Sequence, residues 1–238
     1  MGRVMCSTTS PVAGVFLAAC LVAAATIVST GAGHASAQSP PATQRIDLAE
    51  RLSAGKLKAV NREVSALKDR GDAVHVSEKA DPGIVWVDGV DFAEGAIEVD
   101  VRGRDLLQRS FVGIAFHGKD DRTYESVYVR PFNFRATDPE RHKHAVQYMT
   151  VPDYDWPRLR QEFADEFENP VHPGINPTDW IPLRVVVRGG RIRVVVGLVA
   201  NVTLDVRKLG TLERGMVGLW TGNNSDGDFA NLRITPAK

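Results

Sequence analysis

The densest run of side chains with chemical capability lies at residues 124–148. Tyr124, Ser126, Tyr128 and Arg130 alternate there with Glu125, Val127 and Val129, and Phe132, Asn133, Arg135, His142, His144, Gln147 and Tyr148 follow. Successive side chains of a strand point to opposite faces. The valines belong on a packed side, so Tyr124, Tyr128 and Arg130 project to the other. Aromatic rings under C–H faces, beside planar polar groups that bond paired hydroxyls, suit a sugar. The reading is a binding site on an open face, built from Tyr124, Tyr128, Arg130, Asn133, His144 and Tyr148, with Trp156 and Trp220 contributing from loops. The competing reading puts Tyr128 and Tyr148 in the core with their hydroxyls satisfied at its rim, and His142 and His144 on a solvated loop.

Other groups carry less. Glu98 and Asp100 share a face, with Arg102 next in line. A cation there favours ionised carboxylates, as in a salt-bridged surface. His117, His142, His144 and His172 lack a Glu-x-x-His or comparable frame, so no metal site is assigned to them. Asn223-Asn224-Ser225-Asp226-Gly227-Asp228 clusters oxygen ligands, and calcium takes six to eight. The same composition is that of a turn between strands. Calcium is the one ion this leaves open; no other cofactor is expected. There is no Gly-x-Ser-x-Gly elbow and no phosphate loop. Asn201-Val202-Thr203 and Asn223-Asn224-Ser225 match the glycosylation sequon, which matters only where exported proteins are glycosylated.

The elements that position these groups read as strands. Valine-rich, period-two segments suit a pleated sheet. They fall at 61–68, 73–78, 83–87, 96–102, 111–117, 126–130, 145–150, 183–188, 191–198, 202–206, 216–221 and 230–235. Turn residues separate them, including Asp88-Gly89 and Gly189-Gly190. Roughly a dozen short strands with regular turns mean a sandwich or barrel. Ile192, Val194, Val196 and Leu198 mark one packed face, and Ile97, Val99 and Val101 another. Alternation stops at 153–173, where Leu159, Phe163 and Phe167 follow Trp156-Pro157 at four-residue spacing. That predicts a short helix near 156–168, inside an insertion of the kind that often carries function.

The amino terminus has Arg3, an apolar run at 12–28 and Ala35-Ser36-Ala37. A positive start, an apolar run and an Ala-x-Ala site describe a signal peptide over residues 1–37. The protein is then secreted or periplasmic and free of the membrane once cleaved. Leu17-Ala18-Ala19-Cys20 resembles a lipobox, and a retained anchor is the other alternative. Cleavage would remove both cysteines, Cys6 and Cys20, so the mature chain would carry no disulfide. Residues 38–58 read as a linker and lead-in with a short helix, and 59–238 as the folded domain. The 238 residues carry 29 basic and 29 acidic side chains, which excludes the basic excess of a nucleic-acid binder.

Three stretches carry a family resemblance: Phe92-Ala93-Glu94-Gly95-Ala96-Ile97-Glu98-Val99-Asp100-Val101, the hairpin at 180–196, and Gly215-Met216-Val217-Gly218-Leu219-Trp220 with the final strand at 228–234. Their order resembles the concanavalin A-like lectin/glucanase superfamily over about residues 59–236. The nearest branches are the laminin-G-like and 3-keto-disaccharide hydrolase-like domains. The resemblance implies an all-β jelly-roll sandwich of two antiparallel sheets, with a carbohydrate ligand on the concave sheet. Catalytic members carry a Glu-x-Asp-x-x-Glu strand, and retaining hydrolysis needs two carboxylates about 5–5.5 Å apart. Here Arg102 and Gly103 stand where the second glutamate would be, so no catalytic residue is assigned. The expected function is glycan recognition without turnover. A glycoside hydrolase and a protein-binding module are the alternatives, and the oligomeric state stays open.

Overall fold

The structure is a computed structural model that describes residue 14 and residues 42–238. The expected leader, with its cleavage site and Cys20, lies outside the described residues except for Gly14.

In chain order the elements are β1 Gln44–Ile46, α1 Leu48–Ser53, β2 Leu57–Val60, β3 Val64–Ala66, β4 Val74–Val76, β5 Gly83–Phe92, β6 Gly95–Arg102, β7 Val112–Asp120 and β8 Thr123–Val129. A 3-10 turn at Pro131–Asn133 follows, then α2 Pro139–Lys143, β9 Val146–Val151, α3 Trp156–Glu162, β10 Glu168–Asn169, β11 Ile181–Arg188, β12 Arg191–Val196, β13 Leu204–Arg207, β14 Gly215–Thr221 and β15 Gly227–Pro236. They form two antiparallel sheets. One has eight strands, in the order β13-β12-β11-β6-β15-β4-β3 with β1 also on β15; the other has seven, in the order β10-β9-β8-β7-β14-β5-β2.

Period-two patterning decides which sides meet. Ile97, Val99 and Val101 of β6, and Leu183, Val185 and Val187 of β11, are at most 2% exposed, while Glu98, Asp100, Arg184 and Arg188 point outward. From the other sheet, Val112 reaches across to β15, where a Cβ on Gly227 would meet its side chain at 2.6 Å. Register extends that inward face through Val85, Leu219, Ile114, Val127 and Tyr148, which lie directly opposite one another along five strands. The β11–β12 hairpin closes through Gly189 and Gly190, both at positive φ, as a two-residue turn between twisted strands requires.

The structure corrects three expectations about elements. The sandwich begins before residue 59: β1 pairs with β15, and Leu48 of α1 is fully buried. Helix α3 is shorter than expected, ending at Glu162 where Phe163 leaves helical geometry with φ −141°, and 168–169 instead joins β9 as an edge strand. Leu198 does not continue the packed face of β12. Gly197 turns the chain at φ +86° and Leu198 is 92% exposed.

Candidate functional site

Side chains that lie opposite one another across a sheet share a face. Ile84, Trp220, Gly113, Tyr128, Gln147 and Glu168 form one such row on the outer side of the seven-stranded sheet. Trp86, Gly218, Ala115, Ser126 and Met149 form the next. Large rings alternate with small residues, so the rings lie over the gaps. A Cβ at Gly113 would overlap the Val127 carbonyl and the Tyr128 side chain, and one at Gly118 the Trp86 ring. Trp220 packs on Tyr128 with centroids 4.6 Å apart and donates its indole N–H to the Tyr124 hydroxyl at 3.1 Å. Trp86 meets Tyr124 edge-on at 6.1 Å and donates to Asp121 at 2.8 Å.

The direction expected for Tyr124 and Tyr128, away from Val127 and Val129, is the one observed, but the face does not stand open. Tyr124, Tyr128, Trp86 and Trp220 are all 5% exposed or less. Phe111 packs against both Tyr128 and Phe132. Trp220 is a strand residue of this cluster rather than a loop contributor. Trp156 is exposed at the start of α3, with the Arg160 guanidinium 5.1 Å from its ring.

At one end of the face Arg130 is buried in a network rather than free. It donates to the Tyr128 hydroxyl at 2.9 Å, to Gln147, to the His144 carbonyl and to Glu168 at 3.1 Å. Glu168 also receives both arms of Arg160, at 2.6 and 2.8 Å, and faces His144 Nδ1 at 3.0 Å. Burial alone would raise the Glu168 pKa; the Arg160 hydrogen bonds and the charges of Arg130 and Arg160 reverse this and hold it below the usual carboxylate range. Burial lowers that of His144. Asn133 is buried and donates to the His144 carbonyl at 3.1 Å.

Tyr148 belongs to the opposite face and is a correction to the expected site. It is fully buried between the sheets, where its hydroxyl donates to Glu125 and accepts the Leu209 N–H at 3.0 Å. Burial first, and then the Glu125 charge, push its pKa up. Glu125 in turn meets His117 Nδ1 at 2.7 Å and Lys208 Nζ at 3.0 Å. His117 is therefore an interior group.

A cavity of about 380 Å³ is lined by Val60, Pro82, Gly83, Ile84, Asp121, Arg122, Tyr124, Val151, Pro152 and Asp155. Of the residues expected at the site, only Tyr124 reaches it. Asp121, Arg122 and Asp155 are exposed around it, and Asp155 also caps α3 by accepting the Arg158 N–H at 3.1 Å. Sequence reasoning missed all three. Trp86, which fixes Asp121, was readable: it alternates with Val85 and Val87 in a recognised strand.

The remaining candidates are committed elsewhere. Glu98, Asp100 and Arg102 lie outside the eight-stranded sheet. Arg184 is 3.7 Å from Glu98, and Asp100 accepts from Arg70 at 2.8 Å. In the 223–228 turn, Asp226 pairs with Arg104 at 2.6 Å and Asp228 with Arg102 at 2.8 Å, while Asn223 caps the Asp81 N–H. Among the described residues, no three His, Cys, Asp or Glu side chains are gathered to hold a metal.

No family model and no curated protein matches the sequence. Solved structures do match the fold. A protein of unknown function with galectin-like fold from Bacillus subtilis superposes with a TM-score of 0.56 at 11% identity, over 83% of this chain and 97% of that one. A structure described as a native glycosidic hydrolase gives 0.53 at 10% identity, over 83% and 97%. The carbohydrate-binding module CBM66 from Bacillus subtilis gives 0.52 at 12% identity, over 76% and 96%. Two antiparallel sheets of eight and seven strands, in this order and with these neighbours, make the fold a concanavalin A-like jelly roll of the galectin-like kind.

Proposed function

We propose that this chain is an exported carbohydrate-binding domain that holds a glycan in the Tyr124 cavity and does not cleave it. The observation that carries the reading is the cavity lining. Two carboxylates and a guanidinium, Asp121, Asp155 and Arg122, surround a pocket whose wall includes Tyr124, Val60, Ile84 and Pro152. Planar polar groups that bond hydroxyls, next to apolar surface, are two needs of a sugar. Two of the matching structures are named for carbohydrate binding or glycoside hydrolysis; a shared fold does not transfer that by itself, and the lining supplies the chemistry here.

Binding without turnover is supported at the carboxylates outside the cavity lining. Glu168 is held ionised among arginines, and Glu98 and Asp100 lie outside the other sheet. Export rests on the leader composition.

The test is a glycan array with the mature protein, with and without calcium, followed by calorimetric titration of the best ligand. Asp121→Ala and Arg122→Ala should each weaken binding by about tenfold, the worth of one charged hydrogen bond at roughly 1.5 kcal/mol. An array with no bound glycan, or unchanged affinity in both variants, overturns the proposal. Turnover of disaccharides or their 3-keto forms would replace it with the hydrolase.

A further inference from the structure

On the outer face of the eight-stranded sheet, register sets three ionisable residues side by side: His75 of β4, Asp228 of β15 and Arg102 of β6. Their neighbours in each strand, Val74, Val76, Phe229 and Val101, are fully buried, so alternation turns all three outward. They border a cavity of about 320 Å³ whose lining also includes Gly103, Arg104, Thr178, Asp226 and Gly227. This cavity lies on a different sheet from the one at Tyr124.

The groups around it are fixed in place. Asp228 accepts from His75 Nδ1 at 2.7 Å through one oxygen and from Arg102 Nε at 2.8 Å through the other. The Arg102 guanidinium lies 4.7 Å from the Trp180 ring centroid. Arg104 is tied to Glu78 at 2.7 Å. Asp226 Oδ1 and Arg104 Nε hold each other as an ion pair at 2.6 Å. Hydrogen-bonding capacity remains at the rim. Thr178 brings a hydroxyl whose only hydrogen bond among the described residues is a long one, 3.5 Å, to Asn176. Preorganised donors and acceptors lose little freedom on binding.

Charge selects the ligand. Two guanidiniums face two carboxylates in the lining, His75 adds a positive charge only when protonated, and the next shell is also paired: Glu78 with Arg104 and Arg109, Arg70 with Asp72 and Asp100, and Asp69 with Arg102. A near-neutral pocket of alternating donors and acceptors does not favour an anion or a cation. We infer that the His75–Arg102–Asp228 cavity is a second binding site, for an uncharged polyhydroxylated ligand such as a neutral sugar, and that the domain is bivalent. Two sites on opposite sheets would bridge two chains of a polysaccharide, or two stretches of one, with the avidity that linkage brings.

The experiment is a residue-resolved NMR titration of the mature protein with a panel of neutral hexoses, pentoses and their disaccharides. Amides of Gly103, Thr178, Trp180 and Gly227 report this cavity; those of Asp121 and Arg122 report the Tyr124 cavity. The expected result is saturable shifts at the first group, weakened about tenfold by His75→Asn and by the exposed change Thr178→Val. Thermal melts close to wild type would establish that both variants are folded. Shifts confined to Asp121 and Arg122 would overturn the second site and leave the first standing. Shifts at the first group that neither variant weakens would also overturn it. Shifts at neither group would overturn both.

Discussion

Outside the eight-stranded sheet Asp205 holds Arg191 and Arg193 at 2.8 and 3.1 Å, and Arg102 reaches Asp228 beside Trp180. Outside the seven-stranded sheet Trp220, Tyr128 and Trp86 lie over Gly113, Gly218 and Gly118. One face is wet and ion-paired; the other is a second apolar layer with its hydroxyls and indoles satisfied inside the protein. Exposed ion pairs contribute little net stability, whereas buried rings contribute much. The aromatic face therefore acts first as structure. Its exposed polar groups stand at its margin, where Asp121, Arg122 and Asp155 emerge beside Tyr124, and the proposed recognition falls there.

The contrast breaks most sharply at Tyr128. Tyr128→Ala should destabilise the domain by about 3–5 kcal/mol, the range for truncating a buried aromatic, because the ring is 2% exposed and packed against Trp220. Arg193→Ala, on the other face and more than half exposed, should stay within about 0.5 kcal/mol. Denaturant melts of both would measure the difference. Equal effects would mean that the aromatic face is an open platform after all.

Glu168 is next in size. It is the buried anion of the aromatic face, and Glu168→Gln leaves Arg130 and Arg160 without their counter-charge, a loss on the order of 3–5 kcal/mol for a broken buried pair. Its folded pKa is depressed, so its contribution is complete above the unfolded value of about 4.3 and is lost as pH falls through the lower folded value. Wild type should lose stability into acid over that window, and Glu168→Gln should show a flatter profile. Parallel profiles would show that Glu168 is not the group being titrated.

The two faces were unequally legible. In β6 Glu98, Asp100 and Arg102, and in β11 Arg184 and Arg188, break the apolar run at period two, so Ile97, Val99, Leu183 and Val185 announced the core and Glu98 and Arg184 the surface. In β8 both sides are buried, and Glu125 and Arg130 are polar residues of the interior. Alternation separated Tyr128 from Val127 correctly but gave no sign that both sides were covered. Tyr148 was misplaced for a related reason. It directly follows Gln147, and a shift of one reverses the face; only its pairing with Val127 resolves the register. Asp121 and Arg122 sit in a turn, where composition reads as solvent and carries no direction.

A smaller effect sharpens the charged face. The Asp228 hydrogen bond raises the His75 pKa, against some lowering by burial. Protonated His75 therefore favours the folded state: the contribution is complete below the ordinary value of about 6.5 and is lost as pH rises through the raised one. An NMR titration should place His75 above that ordinary value, and Asp228→Asn should bring it back down. A His75 unaffected by Asp228→Asn would remove the pair from the account of this face.

The smallest expected effect is at Glu98, the carboxylate most like a catalytic one by sequence. It faces Arg184 and Arg233 across β11 and β15, and the Arg184 contact of 3.7 Å is an ion pair beyond hydrogen-bond reach, with both side chains over a third exposed. Such a pair is worth a few tenths of a kcal/mol. The hydrophobic layer between the sheets separates it from the Tyr124 cavity, because Ile97 and Val99 on either side of it are buried inward. Its face-mate Asp100 already accepts from Arg70 and Asn231 and is not free to act as its partner. Glu98→Gln should thus change stability by less than about 0.5 kcal/mol and leave glycan affinity at the Tyr124 cavity unchanged. Melts, titration and a hydrolysis assay on disaccharides and their 3-keto forms measure all three. A hundredfold loss of a measurable turnover in this variant alone would make the charged face the active one and reverse the assignment of roles between the two sheets.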